Sequence, residues 1–296
     1  MIVTAIISGF ANFFNKFGMQ VLGKDAFQYT ILKNVIVALI LSLVVLTPII
    51  WPKLKQLTKR DWGKLMLIGL VGGSIPFLLF FKGLSLTSSV SASFIHKTLF
   101  IWVAILAWPI LKEKITKLQF LALGLLLFGN IIFFGFREMT WGYAEILILL
   151  ATLMWAGETV ITKISLKNID STVLAWGRMF FGAIILIGFL VVTGNTSGLL
   201  TISLSQLGWL VLVSAFLTGY VLTWYAALKK LPATVVTCFL VIASPITTFL
   251  NFAFVSHQLP GQNILGTLLI SIALILFVMP NLFRHLIIRD SETSLS

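Results

Sequence analysis

Runs of about 20 apolar residues follow one another along almost the whole chain, separated by brief polar joints, and nothing else in it narrows the possible folds as far. A helix rises about 1.5 Å per residue, so one such run matches a hydrocarbon core about 30 Å thick. Lipid offers no partner to backbone N–H and C=O groups, so only helices and closed barrels can span it. Runs this long and evenly apolar are helices, because barrel strands are about half that length. Hydrophobic residues make up 59% of the 296 positions and charged ones only 10%, against roughly 25% charged in a soluble domain. No extended soluble domain remains.

The expected fold is therefore an all-α integral membrane protein of ten transmembrane helices, at residues 3–22, 27–50, 63–81, 86–110, 117–135, 141–163, 171–193, 206–228, 233–255 and 263–283. The first span has no basic leader and no small-residue cleavage site, so it reads as retained and not as a signal peptide. The end, RHLIIRDSETSLS, is too short to fold alone and reads as a frayed cytoplasmic end, with the tail proper at residues 286–296. The single cysteine, Cys238, excludes a disulfide scaffold and a cysteine metal cluster within one chain. No cofactor is expected.

A formal charge of +12 would suit a nucleic-acid binder, but the cations sit in short loops, where they orient the chain and meet anionic lipid. With the N-terminus in the cytoplasm, Lys53, Lys55, Lys59, Arg60, Lys64, Lys112, Lys114, Lys117, Lys163, Lys167, Lys229, Lys230, Arg284 and Arg289 fall inside. Only Lys24, Lys82 and Arg137 fall outside. Fourteen against three places both termini in the cytoplasm of a multi-pass cell (inner) membrane protein, with the bilayer as partner and no nucleic acid.

The halves match under a shift of about 144 residues, which pairs Leu84 with Leu228, Ile101 with Pro245, Glu113 with His257 and Gln119 with Asn263. Lys33 pairs with Arg178 at a slightly different offset. Five spans is an odd number, so the second copy enters the membrane upside down. Loop charge agrees: LKEKITK is basic, whereas its counterpart SHQLPGQN holds no Lys or Arg. The expected units are residues 1–137 and 138–285, two inverted five-helix repeats of the kind secondary transporters use, with a site near mid-membrane between them.

The repeat, the run ALKKLPATVVTCFLVIASPITTFLNF, the junction PILKEKITKLQFLALGLLLFGNIIF with Glu113 at an acidic position, and the opening MWAGETVITK together resemble the drug/metabolite transporter superfamily, in particular EamA-type permeases. That resemblance implies ten helices, a central cavity lined mainly by the first, third, fourth, sixth, eighth and ninth, alternating access, and more often export than import. It says little about the solute. Four positions depart from the family pattern: Glu158 stands where an Asn is usual, His257 replaces a second acidic residue, and the small-residue face of the fourth span carries His96 and Lys97.

Ser89, Ala92, Ser93, His96, Lys97 and Phe100 share one face of that span at helical spacing. A Lys near mid-membrane costs about 2.5 to 3.5 kcal/mol on insertion scales and usually faces a cavity or pathway. Lys97 reads either as a cation in a wet cavity or as half of a structural ion pair, and His96 as a hydrogen-bonding or titratable group. Glu158 is the only carboxylate well inside a span. It either neutralises Lys97, couples to protons, or meets a cationic group. Asn12 is a further candidate. Trp155, Tyr220, Trp224 and Tyr225 are read either as cavity wall or as packing. Lys33 and Arg178 read as long cations that snorkel toward helix ends, as do Lys16 and Lys163. Pro76, Pro109 and Pro245, with Gly69, Gly72 and Gly73, mark either hinges or tolerated kinks.

These readings converge on a secondary transporter of a small polar or zwitterionic metabolite such as an amino acid, with possible proton coupling. The alternative is export of lipophilic cations or drug-like compounds. No nucleotide loop, paired carboxylates or metal-ligand cluster is visible in the sequence, so it does not read as an enzyme.

Overall fold

The computed structural model describes residues 1–23, 26–135, 141–194 and 201–293. It is all helical, with no strand among the described residues. Two of the three cations assigned to the outer side, Lys24 and Arg137, lie outside them.

The first rod is α1 (Ile2–Leu22), followed by α2 (Ala26–Val45) and a short surface helix, α3 (Trp51–Lys55). The sequence had carried the second span to residue 50. Pro48 disfavours helix at the residue before it, and the chain turns there instead. The third rod is broken in two, α4 (Lys59–Gly73) and α5 (Ile75–Leu84), as is the fourth, α6 (Ser89–Lys97) and α7 (Leu99–Leu111). Unbroken rods follow: α8 (Lys117–Phe134), α9 (Tyr143–Ser165), α10 (Ser171–Val192) and α11 (Leu204–Lys230). The ninth is broken into α12 (Ala233–Leu240), α13 (Ala243–Asn251) and a π-helical turn at Phe252–Ser256. The last, α14 (Gly261–Thr293), runs beyond the expected end at 283, because neither Gly nor Pro follows Pro280 to stop it.

Nine segments among the described residues are long and apolar enough to cross a membrane. The first rod is not one of them, although ten spans were expected. Asn12, Asn15, Lys16 and Gln20 lower its hydropathy, and Asn12 and Asn15 face the interior cavity.

The packing is symmetric when halves are exchanged. The first rod packs on α11 and α13, and α9, its counterpart in the second half, packs on α5 and α7. Likewise α2 packs on α10, and α8 on α14. One break follows the same pattern, since Lys97–Thr98 and Val241–Ile242 match under the shift of about 144 residues, whereas the break at Ser74 in the third rod has no match in the unbroken α11; of the matching pair only Val241–Ile242 is closely followed by a proline, Pro245.

Glycines bring α4 and α10 into backbone contact, as small residues do between helices in lipid. An added Cβ on Gly73 would lie 2.2 Å from the Arg178 carbonyl oxygen, and one on Gly182 would lie 2.6 Å from the Gly73 oxygen. Gly69 and Gly73 thus serve a helix crossing, while Gly72 leaves room for the Glu158 side chain, whose Cγ would lie 2.4 Å from an added Cβ.

Candidate functional site

A cavity of about 220 Å³ lies between the halves, walled by α1, α2, α5, α6, α9, α10 and α11. Asn12, Phe80, His96 and Lys97 also border a second space of about 390 Å³. That space reaches Val90 and Ser93 near the start of α6, Phe133 and Phe134 at the end of α8, and Thr247 and Thr248 on α13. The two therefore adjoin along α6, and the second extends toward the start of that helix and the end of α8. Together they match small-molecule sites, which run from about 300 to 1,000 Å³.

The break in the fourth rod sets Lys97 in this wall. It is the last residue of α6, 8% exposed, and makes no hydrogen bond or ion pair among the described residues. His96 beside it lies 5.0 Å from the Trp155 ring, tilted at 58°, and 5.5 Å from Phe80 in an edge-on contact, measured between centroids. Phe77 closes the same wall 5.4 Å from Trp155, and Tyr220 stacks on Trp224 at 5.8 Å. Asn12 is exposed into the cavity, whereas Tyr225 is fully buried behind it.

Glu158 does not pair with Lys97. Its Oε1 accepts from the Tyr225 hydroxyl at 2.5 Å and the Thr162 hydroxyl at 2.8 Å, and Arg178 Nε stands 3.9 Å away. Arg178 is held there by the third rod. Pro76 has no N–H to give to the carbonyl four residues back, so the Gly72 oxygen is left open. Arg178 NH2 donates to it at 3.1 Å and Trp155 Nε1 at 3.0 Å.

Neither Arg178 nor Lys33 snorkels. Each is 7% exposed and borders the cavity, turned inward toward Asn15 in the one case and the Gly72 oxygen in the other. Lys33 donates to Asn15 Oδ1 at 3.0 Å, and its ammonium lies 5.1 Å from the Tyr29 ring centre. Sequence reasoning missed both residues as cavity groups. Their equivalence in the repeat was the available signal.

The other end of the cavity is closed by polar contacts. Glu113, turned inward by the left-handed Lys112, accepts from Ala233 N at 2.6 Å, Thr234 N at 3.1 Å and the Thr234 hydroxyl at 2.7 Å. The first half thus caps α12 of the second. His257, its counterpart, is exposed and left-handed, and the Ser88 hydroxyl caps α6 instead. Lys163, half-buried in the last turn of α9, reaches a helix end as expected and caps α11, donating to Leu228 O at 2.5 Å and Leu231 O at 2.7 Å. Lys53 bridges Asp170 at 2.8 Å on this side. Partial burial pushes the Asp170 carboxyl up, but the Lys53 ammonium and the Thr172 N–H outweigh that and hold it below its ordinary value.

Comparison with known proteins agrees with this architecture. The sequence model of the EamA-like transporter family matches residues 1–135 and 142–279. A Clostridium kluyveri protein described as an uncharacterized transporter is 27% identical over 93% of this chain and 91% of its own length. A second, from Methanothermobacter thermautotrophicus, is 24% identical over 75% of this chain and 66% of its own. One crystal structure superimposes with a TM-score of 0.76 over 96% of this chain and 97% of its own, at 13% identity, a likeness of fold alone.

Proposed function

The chain belongs to the EamA-like transporter family and is a multi-pass membrane transporter, and from that premise we propose that it moves a small polar metabolite bearing a carboxylate, amino acids included, by alternating access. The observation that carries this is Lys97: a nine-tenths buried ammonium on the cavity wall with no partner among the described residues. Burying such a charge uncompensated is costly. A solute carboxylate in the cavity would neutralise it, with His96 and Asn12 as hydrogen-bonding neighbours and Trp155 and Trp224 against the carbon skeleton.

The cavity reaches the side poor in Lys and Arg, while Glu113 and Lys163 seal the basic, cytoplasmic side. This arrangement is outward-facing. Turning it inward requires α12 to leave Glu113, at the joint the repeat places at Val241–Ile242. The inverted relation of the halves supplies the second state, and the direction of net flux is outward, as is usual for such permeases. We assign Glu158 to holding Arg178 and not to proton coupling, because its carboxylate is already engaged by Arg178, Tyr225 and Thr162. The same engagement counts against a lipophilic cation as solute.

Flux of labelled carboxylates into proteoliposomes tests this reading. Lys97→Gln should lose transport while keeping its melting temperature, and full activity in that variant refutes it.

A further inference from the structure

The cavity carries an excess of charge that a single carboxylate does not balance. Lys33, Lys97 and Arg178 line it against one carboxylate among the described residues, Glu158, an excess of two positive charges. The adjoining space adds no further Lys, Arg, Asp or Glu. All three cations are at least nine-tenths buried. Glu158 stands beside Arg178, so the excess belongs to Lys33 and Lys97. The partners of Lys33, Asn15 Oδ1 and the Tyr29 ring, orient its ammonium without cancelling its charge. Lys97 has no partner among the described residues. A solute with one carboxylate would leave one of the two ammoniums without an anionic partner in a wall of low polarisability.

We propose that the solute is a small dicarboxylate, acidic amino acids among them, with one carboxylate at Lys97 and the other at Lys33. This rests on the transport reading and narrows its substrate. The ammoniums stand on separate helices, α6 and α2, which suits two acidic groups on one carbon chain. On the same cavity wall α1 presents Asn12 and Asn15 three residues apart on one face, the first open to the cavity and the second holding Lys33. Complementary charge of this kind sets specificity, since a solute lacking the second carboxylate leaves Lys33 bare.

The test is uptake by purified protein in proteoliposomes of labelled succinate, glutamate, lactate, alanine and glucose 6-phosphate. Succinate or glutamate should exceed lactate and alanine by about tenfold or more. Lys33→Gln should cut dicarboxylate uptake about tenfold while changing lactate uptake less than about threefold. Lys33→Arg should restore dicarboxylate uptake. Lactate or alanine carried as well as succinate and glutamate, or glucose 6-phosphate preferred, overturns the dicarboxylate assignment and leaves the transport reading standing. The selectivity of the unaltered protein decides this even where Lys33→Gln does not fold. Uptake of none of these above protein-free vesicles removes both.

Discussion

Replacing Gly73 by alanine puts a methyl group where α4 crosses α10. Its Cβ would lie 2.2 Å from the Arg178 carbonyl oxygen, 3.1 Å from Gly182 Cα and 3.3 Å from the Arg178 carbonyl carbon. Every one of these is a backbone atom, so relief requires the helices to part. Overpacking of that kind costs about 1 to 3 kcal/mol. Parting also stretches the bond from Arg178 to the Gly72 oxygen, which is worth about 1 kcal/mol more. Alanine returns about 0.5 to 1 kcal/mol of helix propensity, leaving a net loss of about 2 kcal/mol. Gly157→Ala is the control: nothing stands within 4 Å of its Cβ, so only the propensity gain remains. The two variants should differ by about 3 kcal/mol. By the scaling for soluble proteins, that separates their melting temperatures by roughly 6 to 12 °C. Tryptophan fluorescence during thermal unfolding in detergent reads the difference. Gly73→Ala melting at or above Gly157→Ala would refute the crossing.

Three further outcomes follow from the polar contacts. Glu158→Gln strands the buried Arg178 and should destabilise by about 3 to 5 kcal/mol, whereas Tyr225→Phe removes one hydrogen bond to a carboxylate and should cost about 1.5 to 3 kcal/mol; equal melting temperatures for both and the parent would contradict the cluster. Glu113→Gln weakens the cap on α12 by about 1 kcal/mol, and labelling of a cysteine at Thr234 from the cytoplasmic side should speed up accordingly. Asp170 is held below its ordinary carboxyl value when folded, so its contribution is present above that value and lost as pH falls beneath it. Asp170→Asn keeps the cap but should flatten the acid limb of a melting-temperature profile below about pH 4.

The helical rods and their approximate ends were readable because hydropathy in lipid is nearly a one-dimensional property. Polar groups at mid-span made His96, Lys97, Asn12 and Ser93 readable as cavity candidates, whereas Trp155, Tyr220 and Trp224, which also border the cavity, could equally be read as packing because aromatic rings serve both. The partner of Glu158 was not readable. It depends on a crossing of α4 and α10 that no periodicity encodes, and on a carbonyl freed by Pro76 one element away. Lys33 and Arg178 were misread because distance from a helix end along the sequence does not reveal which neighbours block the path to water. Tyr225 lies behind the cavity, holding Glu158, because helical spacing turns it away from Tyr220 and Trp224, which line the cavity. The break at Thr98 has no proline to announce it; there the Thr98 hydroxyl bonds the Ile95 carbonyl and accepts from Trp102 Nε1.

Side-specific labelling tests the hydrated cavity most directly. Cys238 is the only cysteine and is fully buried, so Lys97→Cys on a Cys238→Ser background carries a single reporter thiol. A charged, membrane-impermeant thiosulfonate applied from outside should modify it, and succinate or glutamate should slow the reaction. A thiol that ignores that reagent yet reacts with a lipid-soluble maleimide would place position 97 against acyl chains and contradict the account.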